Sequence, residues 1–345
     1  MESTNRSRKS HPTMADVAKV AGVSLKTVSR VVNGADYVSA DKAERVRAVI
    51  EEIGFRPNEY ARHLRSGTSA TIGLIIEDIA DPFYAAVARA IEEVAFSKKH
   101  LLVTASSAED PIRARDAIDS LSSRGVQAMI VAPAEGMEPA WFREKLETGM
   151  TFVFIDRPVP GVEADTLLVD NEVGARRGTE HLIAQGHRRI AFVGDRQGVY
   201  TASKRFAGYC NALLAAGLPL DDDLVVMESP EGPGVDQRLT QMLTSDWRPT
   251  AIFAGNNRWT VRLLRALRLD REQHKIALVG FDDFELSDVL SPAVSVVAQD
   301  PSTLGRKAAE LLFERISGAL GPSRFMELST KLTIREPAKT LEAEH

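Results

Sequence analysis

The sequence predicts a small all-α head carrying a helix-turn-helix, followed by an α/β core of two doubly wound parallel-sheet subdomains. Three observations lead there. Two short apolar-periodic segments flank a glycine within residues 13–34. From Thr71 onward, near-continuous apolar runs alternate with amphipathic stretches, as in parallel sheets covered on both faces. These units are too numerous for one ordinary sheet, which favours two subdomains with a cleft between them. At 345 residues the chain is long enough for two or three domains with substantial cores.

The head begins with Thr13, placed to cap a first helix, and Asp16 in its first turn. Val17, Ala18 and Ala21 recur at helical spacing, and Gly22 breaks the helix by taking the positive φ of a tight turn. Val23 drops into the core. Ser24 caps a second helix, Leu25 to Asn33, with Val28, Val31 and Val32 as its apolar positions and Gly34 as its stop. A third helix starts at Ser39, carries Ala43, Val46, Ile50 and Ile53 as one stripe, and ends at Gly54.

Lys26, Thr27, Ser29, Arg30 and Asn33 should project away from the valines of the second helix. These side chains suit base edges or phosphates in a major groove, and Arg30 is the best candidate for a bidentate guanine contact. A solvated surface arginine or a phosphate contact is the alternative. Charge points the same way. Residues 1–66 hold 12 Lys/Arg against 8 Asp/Glu, whereas the whole chain has a net charge of −5. A basic head on an acidic body implies that only the head meets phosphate.

In the body, strands are expected at 72–78, 101–106, 128–133, 152–156, 166–170, 190–195, 251–255 and 276–282. Helices are expected at 83–97, 111–124, 172–186, 203–216, 236–245 and 259–268. Ligands of such sheets sit beyond the carboxyl ends of the strands. The residues to examine are therefore Asp78 to Phe83, Asp156 and Arg157, Asp195 onward, Asn256 and Asn257, and Asp282 and Asp283. Carboxylates, amides and an arginine converging on a cleft suit a polar small molecule, although each alone is equally a helix cap or turn residue.

The stretch TMADVAKVAGVSLKTVSRVVNG resembles the head of the lactose-repressor/galactose-repressor (LacI/GalR) family, and the match runs on to TIREP near residue 337. The resemblance implies a periplasmic-binding-protein-like core. It places Leu25 and Lys26 at the first two recognition positions and Arg30 at a later one, with Thr27, Ser29 and Asn33 orienting the helix. Thr13 and Ala61 complete the DNA-facing set. It also makes PNEYARHLRSG a hinge in which Leu64 wedges between base pairs of the minor groove. From the residues alone, that segment is a short, marginal helix or a flexible linker. In the core the resemblance puts Asp156 in the cleft, Phe83 against a ligand ring, and Thr201, Arg205 and Asp282 in the pocket.

The implied organisation is an arm at 1–12, a head at 13–57, a hinge at 58–69, one subdomain at 70–168 plus 299–328, a second at 169–298 plus 329–337, and a tail at 338–345. The implied partners are a near-palindromic double-stranded operator, a small-molecule effector and a second copy of the chain. The tail lacks leucine heptads, so a dimer is expected rather than a tethered tetramer. One departure stands out. The family's Asn-Asp is here Asn256-Asn257, followed by Arg258-Trp259. With Arg157 and Arg205, this leaves two readings open: a sugar effector of anionic character, or a neutral sugar with Arg258 turned to solvent.

Other function classes find less support. The polar, basic start is not a secretory signal and no apolar run approaches a membrane span, so a cytoplasmic protein is expected. No dinucleotide loop, phosphate loop or nucleophile elbow follows a strand. His181 and His187 are not spaced as a metal pair, and the single Cys210 reads as a core residue. An operator-binding repressor without cofactor, metal or catalysis is therefore expected. A solute-binding or sugar-modifying α/β protein is the alternative; it would not need TVSRVVNG, and an enzyme would keep turnover after removal of residues 1–66.

Overall fold

A computed structural model describes residues 12–32, 38–53, 71–268 and 276–335 of the chain. The expected arm (through residue 11), Asn33, the hinge with Ala61 and Leu64, and the tail fall outside the described residues. The chain divides into two compact units, residues 1–69 and 70–345.

The first unit contains α1 (Met14–Ala21), α2 (Leu25–Val32) and α3 (Ala40–Ile53). Thr13 and Asp16 form a reciprocal capping box at the start of α1. Gly22 ends that helix at φ 63°, its N–H bonded to the Ala18 carbonyl. Ser24 Oγ accepts the Thr27 N–H at 3.1 Å, which caps α2. The three helices close on Val17, Ala21, Val28, Val46 and Val49. The stripe expected on α3 thus lacks one member: Val49 is buried, whereas Ala43 is only half-buried.

The second unit holds two lobes. Lobe A has strands β1 (Thr71–Ile76), β2 (Leu101–Ser106), β3 (Ala128–Val131), β4 (Thr151–Ile155), β5 (Asp165–Val169) and β11 (Phe325–Leu328), in the order β11-β5-β4-β3-β1-β2. Every neighbouring pair is parallel. Lobe B has β6 (Ile190–Gly194), β7 (Val225–Met227), β8 (Ala251–Ala254), β9 (Ala277–Phe281), β10 (Ser295–Ala298) and β12 (Lys331–Thr333), in the order β12-β10-β9-β8-β6-β7, with only the β10–β12 pair antiparallel.

Each sheet buries both faces. In lobe A, α4 (Pro82–Ser97) and α11 (Pro301–Ile316) cover Ile72, Leu74 and Ile76, while α5 (Pro111–Ser123) and α6 (Pro139–Glu147) cover Ile75, Phe152 and Phe154. In lobe B, α7 (Asn171–Ala184) and α8 (Tyr200–Ala215) cover Phe192, Phe253 and Phe281, while α9 (Val235–Thr244) and α10 (Asn257–Arg268) cover Val193, Ile252 and Ala254. Successive strand residues point to opposite faces, so runs such as TIGLII are apolar throughout.

The chain passes between the lobes at 169–171, 298–301 and 328–331. Asp170 ties two of these crossings together. Its carboxylate accepts the Thr330 N–H at 2.6 Å, and its own N–H donates to the Leu328 carbonyl at 2.9 Å. The expected strands and helices all occur, with ends shifted by a few residues. Strands β7, β10, β11 and β12 were not anticipated; β7 and β12, at three residues, carry too little alternation to be read.

Candidate nucleic-acid interface and interlobe cleft

In α2, Val28 is fully buried and Val31 and Val32 pack against the same core. This turns Leu25, Lys26 and Arg30 outward, since positions four apart share a helix face, while Ser29 is half-buried. Leu25 is 54% exposed, and Lys26 and Arg30 are exposed. Thr27 differs from expectation. It is half-buried, and its hydroxyl lies 2.8 Å from that of Ser24, so it completes the helix cap. Thr13 is likewise committed to its capping box. No acidic residue stands in the first turn of α2, so the outward face carries positive charge only.

In the core, a cavity of about 650 Å³ opens between the lobes. Glu77, Asp78, Ala108, Glu109 and Arg157 line it from lobe A; Asp195, Arg196, Val199, Arg258 and the stretch from Glu228 to Pro233 line it from lobe B. The arginines are held by carboxylates. Arg157 Nη1 donates to both oxygens of Glu109 at 2.6 Å, and Nη2 lies 3.5 Å from Glu77. Arg258 donates to Glu77 at 2.6 Å across the cleft and to Glu231 at 2.6 Å within its own lobe. Burial, together with the nearby Glu109, pushes the Glu77 carboxyl up to about 7 against the pull of Arg157 and Arg258. Burial also raises the pKa of Asp195, whose carboxylate accepts one bond from Asn256 Nδ2 at 2.6 Å.

A second layer stands behind the lining. Arg205 is buried, donates to Asn171, to the Gly255 carbonyl at 2.7 Å and to Asp282 at 3.3 Å, and lies 3.8 Å from the centre of the Phe281 ring. Gln299, on a crossing segment, donates to the other oxygen of Asp282. Burial pushes the Asp282 carboxyl up to about 6, opposed by Arg205. Asp156 and Asp282 occupy matching places, just after β4 and β9. Both take positive φ, 66° and 68°, a conformation unusual outside glycine and found at functional sites.

Residues 13–58 match the model for bacterial regulatory proteins of the lacI family, and residues 179–337 match the periplasmic binding protein-like domain. The HTH-type transcriptional regulator GalR of Escherichia coli (strain K12) is 31% identical over 96% of this chain and 98% of its own length. The chain belongs to the lacI family. As a member, it is a DNA-binding transcriptional regulator and not an enzyme. Among solved structures, the lac repressor dimer bound to operator and an anti-inducer shares the fold at a TM-score of 0.82 and 26% identity, covering 95% of this chain and 99% of that one. A CelR–cellobiose complex matches at a TM-score of 0.68 and 29% identity, covering 94% and 99%.

Within this lacI-family chain, the structure separates the pocket residues expected from sequence into three groups. Asp78 and Arg157 line the cavity. Asp156, Thr201, Arg205, Asn256 and Asp282 do not; Asp156, Thr201, Arg205 and Asp282 are buried and Asn256 is half-buried. Asn257 is a bridge between lobes, donating to Asp81 at 3.0 Å. Phe83 does not line the cavity either; it packs on the lobe A core, edge-on to Tyr84 at 5.1 Å.

Sequence reasoning did not place Glu77, Glu109, Glu228 and Glu231 in the cavity. Glu77 falls within an expected strand, Glu109 is in a loop at φ 58°, and the other two follow β7, which was not read as a strand. The carboxylate excess runs against an anionic effector, since Arg157 and Arg258 are already neutralised and Arg205 lies behind the lining.

Proposed function

We propose that the protein is a cytoplasmic, homodimeric repressor whose affinity for a near-palindromic double-stranded operator is set by a sugar or sugar-derived effector in the interlobe cavity. One observation carries this reading. The head turns outward an α2 face whose charged residues are all basic, while the core holds a cavity lined from both lobes by charged side chains. Leu25, Lys26 and Arg30 read base edges. Ser29 and Asn33 fix the helix on the backbone, and Thr13 and Thr27 hold the helix starts that set its orientation. Ala61 and Leu64 enter the minor groove. The relatives support an operator and a sugar as partners, since one solved neighbour is bound to operator and another to cellobiose.

A ligand that contacts both lobes changes their relation, and an effector that binds one arrangement better shifts the population toward it. The homodimer draws support from the outer strand β2, which leaves Leu101 71% exposed, with Phe96 at 81% and Ile112 at 68% also exposed on the same lobe. An exposed apolar strand edge on a monomer is an aggregation liability unless it is covered.

Genome-wide footprinting of the full-length protein tests the reading. It should return paired half-sites, and Arg30→Ala should relax the preference at one position in each half-site. An equal loss on every sequence would reduce Arg30 to a phosphate contact. Absence of sequence-specific binding by the unaltered protein would refute the reading.

A further inference from the structure

Side chains of the protein itself span the interlobe cleft, and two of them stand side by side. Asn257 and Arg258 occupy the first turn of α10 in lobe B. That turn is firmly seated. Trp259 is fully buried in the lobe B core, and its backbone N–H donates to Asn256 Oδ1 at 2.9 Å. On the other side, Glu77 and Asp81 of lobe A lie in the turn between β1 and α4. Arg157 Nη2 stands 3.5 Å from Glu77, and Asp81 Oδ1 caps α4 by accepting the Phe83 N–H at 2.8 Å.

The two turns are joined directly. The Arg258 guanidinium donates to Glu77 across the cleft and to Glu231 of its own lobe, both at 2.6 Å. Asn257 Nδ2 donates to Asp81 at 3.0 Å, on the same oxygen that caps α4. Asn257 is buried, and the Glu77 and Arg258 side chains are 18% and 30% exposed, so solvent and salt screen these bonds less than a surface pair. The contact of Arg196 with Glu135, at 3.5 Å and more exposed, adds little.

We propose that Arg258 and Asn257 form an interlobe latch, which holds the lobes in one closed arrangement that the protein adopts by itself. An effector then acts on lobes that are already joined, and the latch sets how much differential binding energy it must supply to change their relation. The regulatory consequence rests on the reading of the cleft as the effector site; the latch itself does not.

The experiment is pulsed electron–electron dipolar spectroscopy of the full-length protein with no ligand added. Asp116→Cys on α5 and Gln237→Cys on α9, both exposed, carry the spin labels, and Cys210→Ala removes the native thiol. Excess unlabelled protein keeps the labels on one chain of a dimer. The otherwise unaltered protein should give one narrow interlobe distance. Arg258→Gln with Asn257→Ala should broaden the distribution and move its centre, and Arg258→Gln alone should do so less. Arg176→Gln, which breaks only the pair with Glu180 within α7, should leave it unchanged. Each variant is first checked for cooperative melting, and the single variant carries the test if the double variant fails to fold. A broad or multi-centred distribution in the unaltered protein overturns the latch. So does an unchanged distribution in the folded Arg258 variants. Operator affinity reads the regulatory consequence separately and should change by about fivefold or more in the double variant. An altered distance with unaltered operator affinity would uphold the latch and count against the cleft as the regulatory site.

Discussion

The two lobes follow one plan with different local signals. All four helices of lobe A begin with an acidic residue followed by proline: Asp81-Pro82, Asp110-Pro111, Glu138-Pro139 and Asp300-Pro301. Three of these acids accept backbone N–H groups of the first turn, and proline presets the helical φ while lacking an N–H that would go unpaired. No helix of lobe B starts this way. Asp170, Val199 and Gly234 make no side-chain cap bond, and Asp170 turns its carboxylate to the crossing segment at Thr330. The lobes also secure their last strands differently. Lobe A buries Asp165 beneath Arg315 and Arg324, at 2.8 and 2.9 Å, whereas lobe B uses the partly exposed pair Arg335–Asp283 at 2.7 Å. Acid–proline starts thus mark every helix of lobe A, whereas in lobe B only Asn256 caps its helix locally, accepting the Trp259 N–H at 2.9 Å, and Asp170 is spent on a contact remote in sequence.

The strongest way to break this contrast is at Asp165. Burial disfavours its charge, yet hydrogen bonds from Arg315 and Arg324 hold its carboxyl well below the usual range. Asp165→Ala leaves two guanidiniums without their shared partner and should cost about 3–5 kcal/mol in denaturant unfolding of the core. Asp283→Ala, in the exposed counterpart, should cost less than about 1 kcal/mol.

Next come the helix crossings, where the lobes agree. A Cβ on Gly208 would strike the Glu172 carbonyl of α7, and one on Gly305 the Val87 carbonyl of α4, both closer than real Cβ atoms approach. Gly208→Ala and Gly305→Ala should each lower stability by about 1–3 kcal/mol. Equal losses would show that close helix packing, unlike capping, is common to both lobes.

Capping itself is probed by Asp110→Ala, which removes the bond to the Ile112 N–H at 2.8 Å and should cost about 1 kcal/mol. Val199→Ala removes no cap bond, so its stability loss should follow the apolar contact of a 5% exposed side chain alone.

The smallest effect is the pH response of the cleft between the lobes. A carboxyl whose pKa is higher in the folded than in the unfolded chain binds more protons when folded, so its contribution falls as pH rises through the interval between the two values. Glu77, at about 7, should therefore make the core more stable at pH 6.5 than at pH 8. Asp282, at about 6, adds in the same sense lower down, where His181 and His187, lowered by burial, begin to oppose it. Thermal melts should show this slope, and Glu77→Gln should flatten it. A slope retained in that variant would assign the effect to other groups.

Legibility differed by element and by site. Runs such as AMIV and IAFVG announce strands because a doubly covered strand must be apolar throughout. The head was readable because Thr13, Gly22 and Ser24 each do a local job that only a few residue types can do. The cleft was readable mainly in its second layer. Asp282 stands at a strand end and Arg205 was carried by the resemblance of KRFAGY, while Glu228 and Glu231 follow a three-residue strand with no period to detect.

By itself the sequence determined the two-part architecture, the outward basic face of α2 and the helix starts of lobe A, because caps, prolines and apolar periods act over a few residues. Tertiary structure alone decided which charges share the cavity. Glu77 and Arg258 are 181 residues apart, yet their side chains meet at 2.6 Å, and no local rule links residues carried by different sheets. It also decided the start of α7, where the Asp170 carboxylate accepts the distant Thr330 N–H in place of a local cap bond.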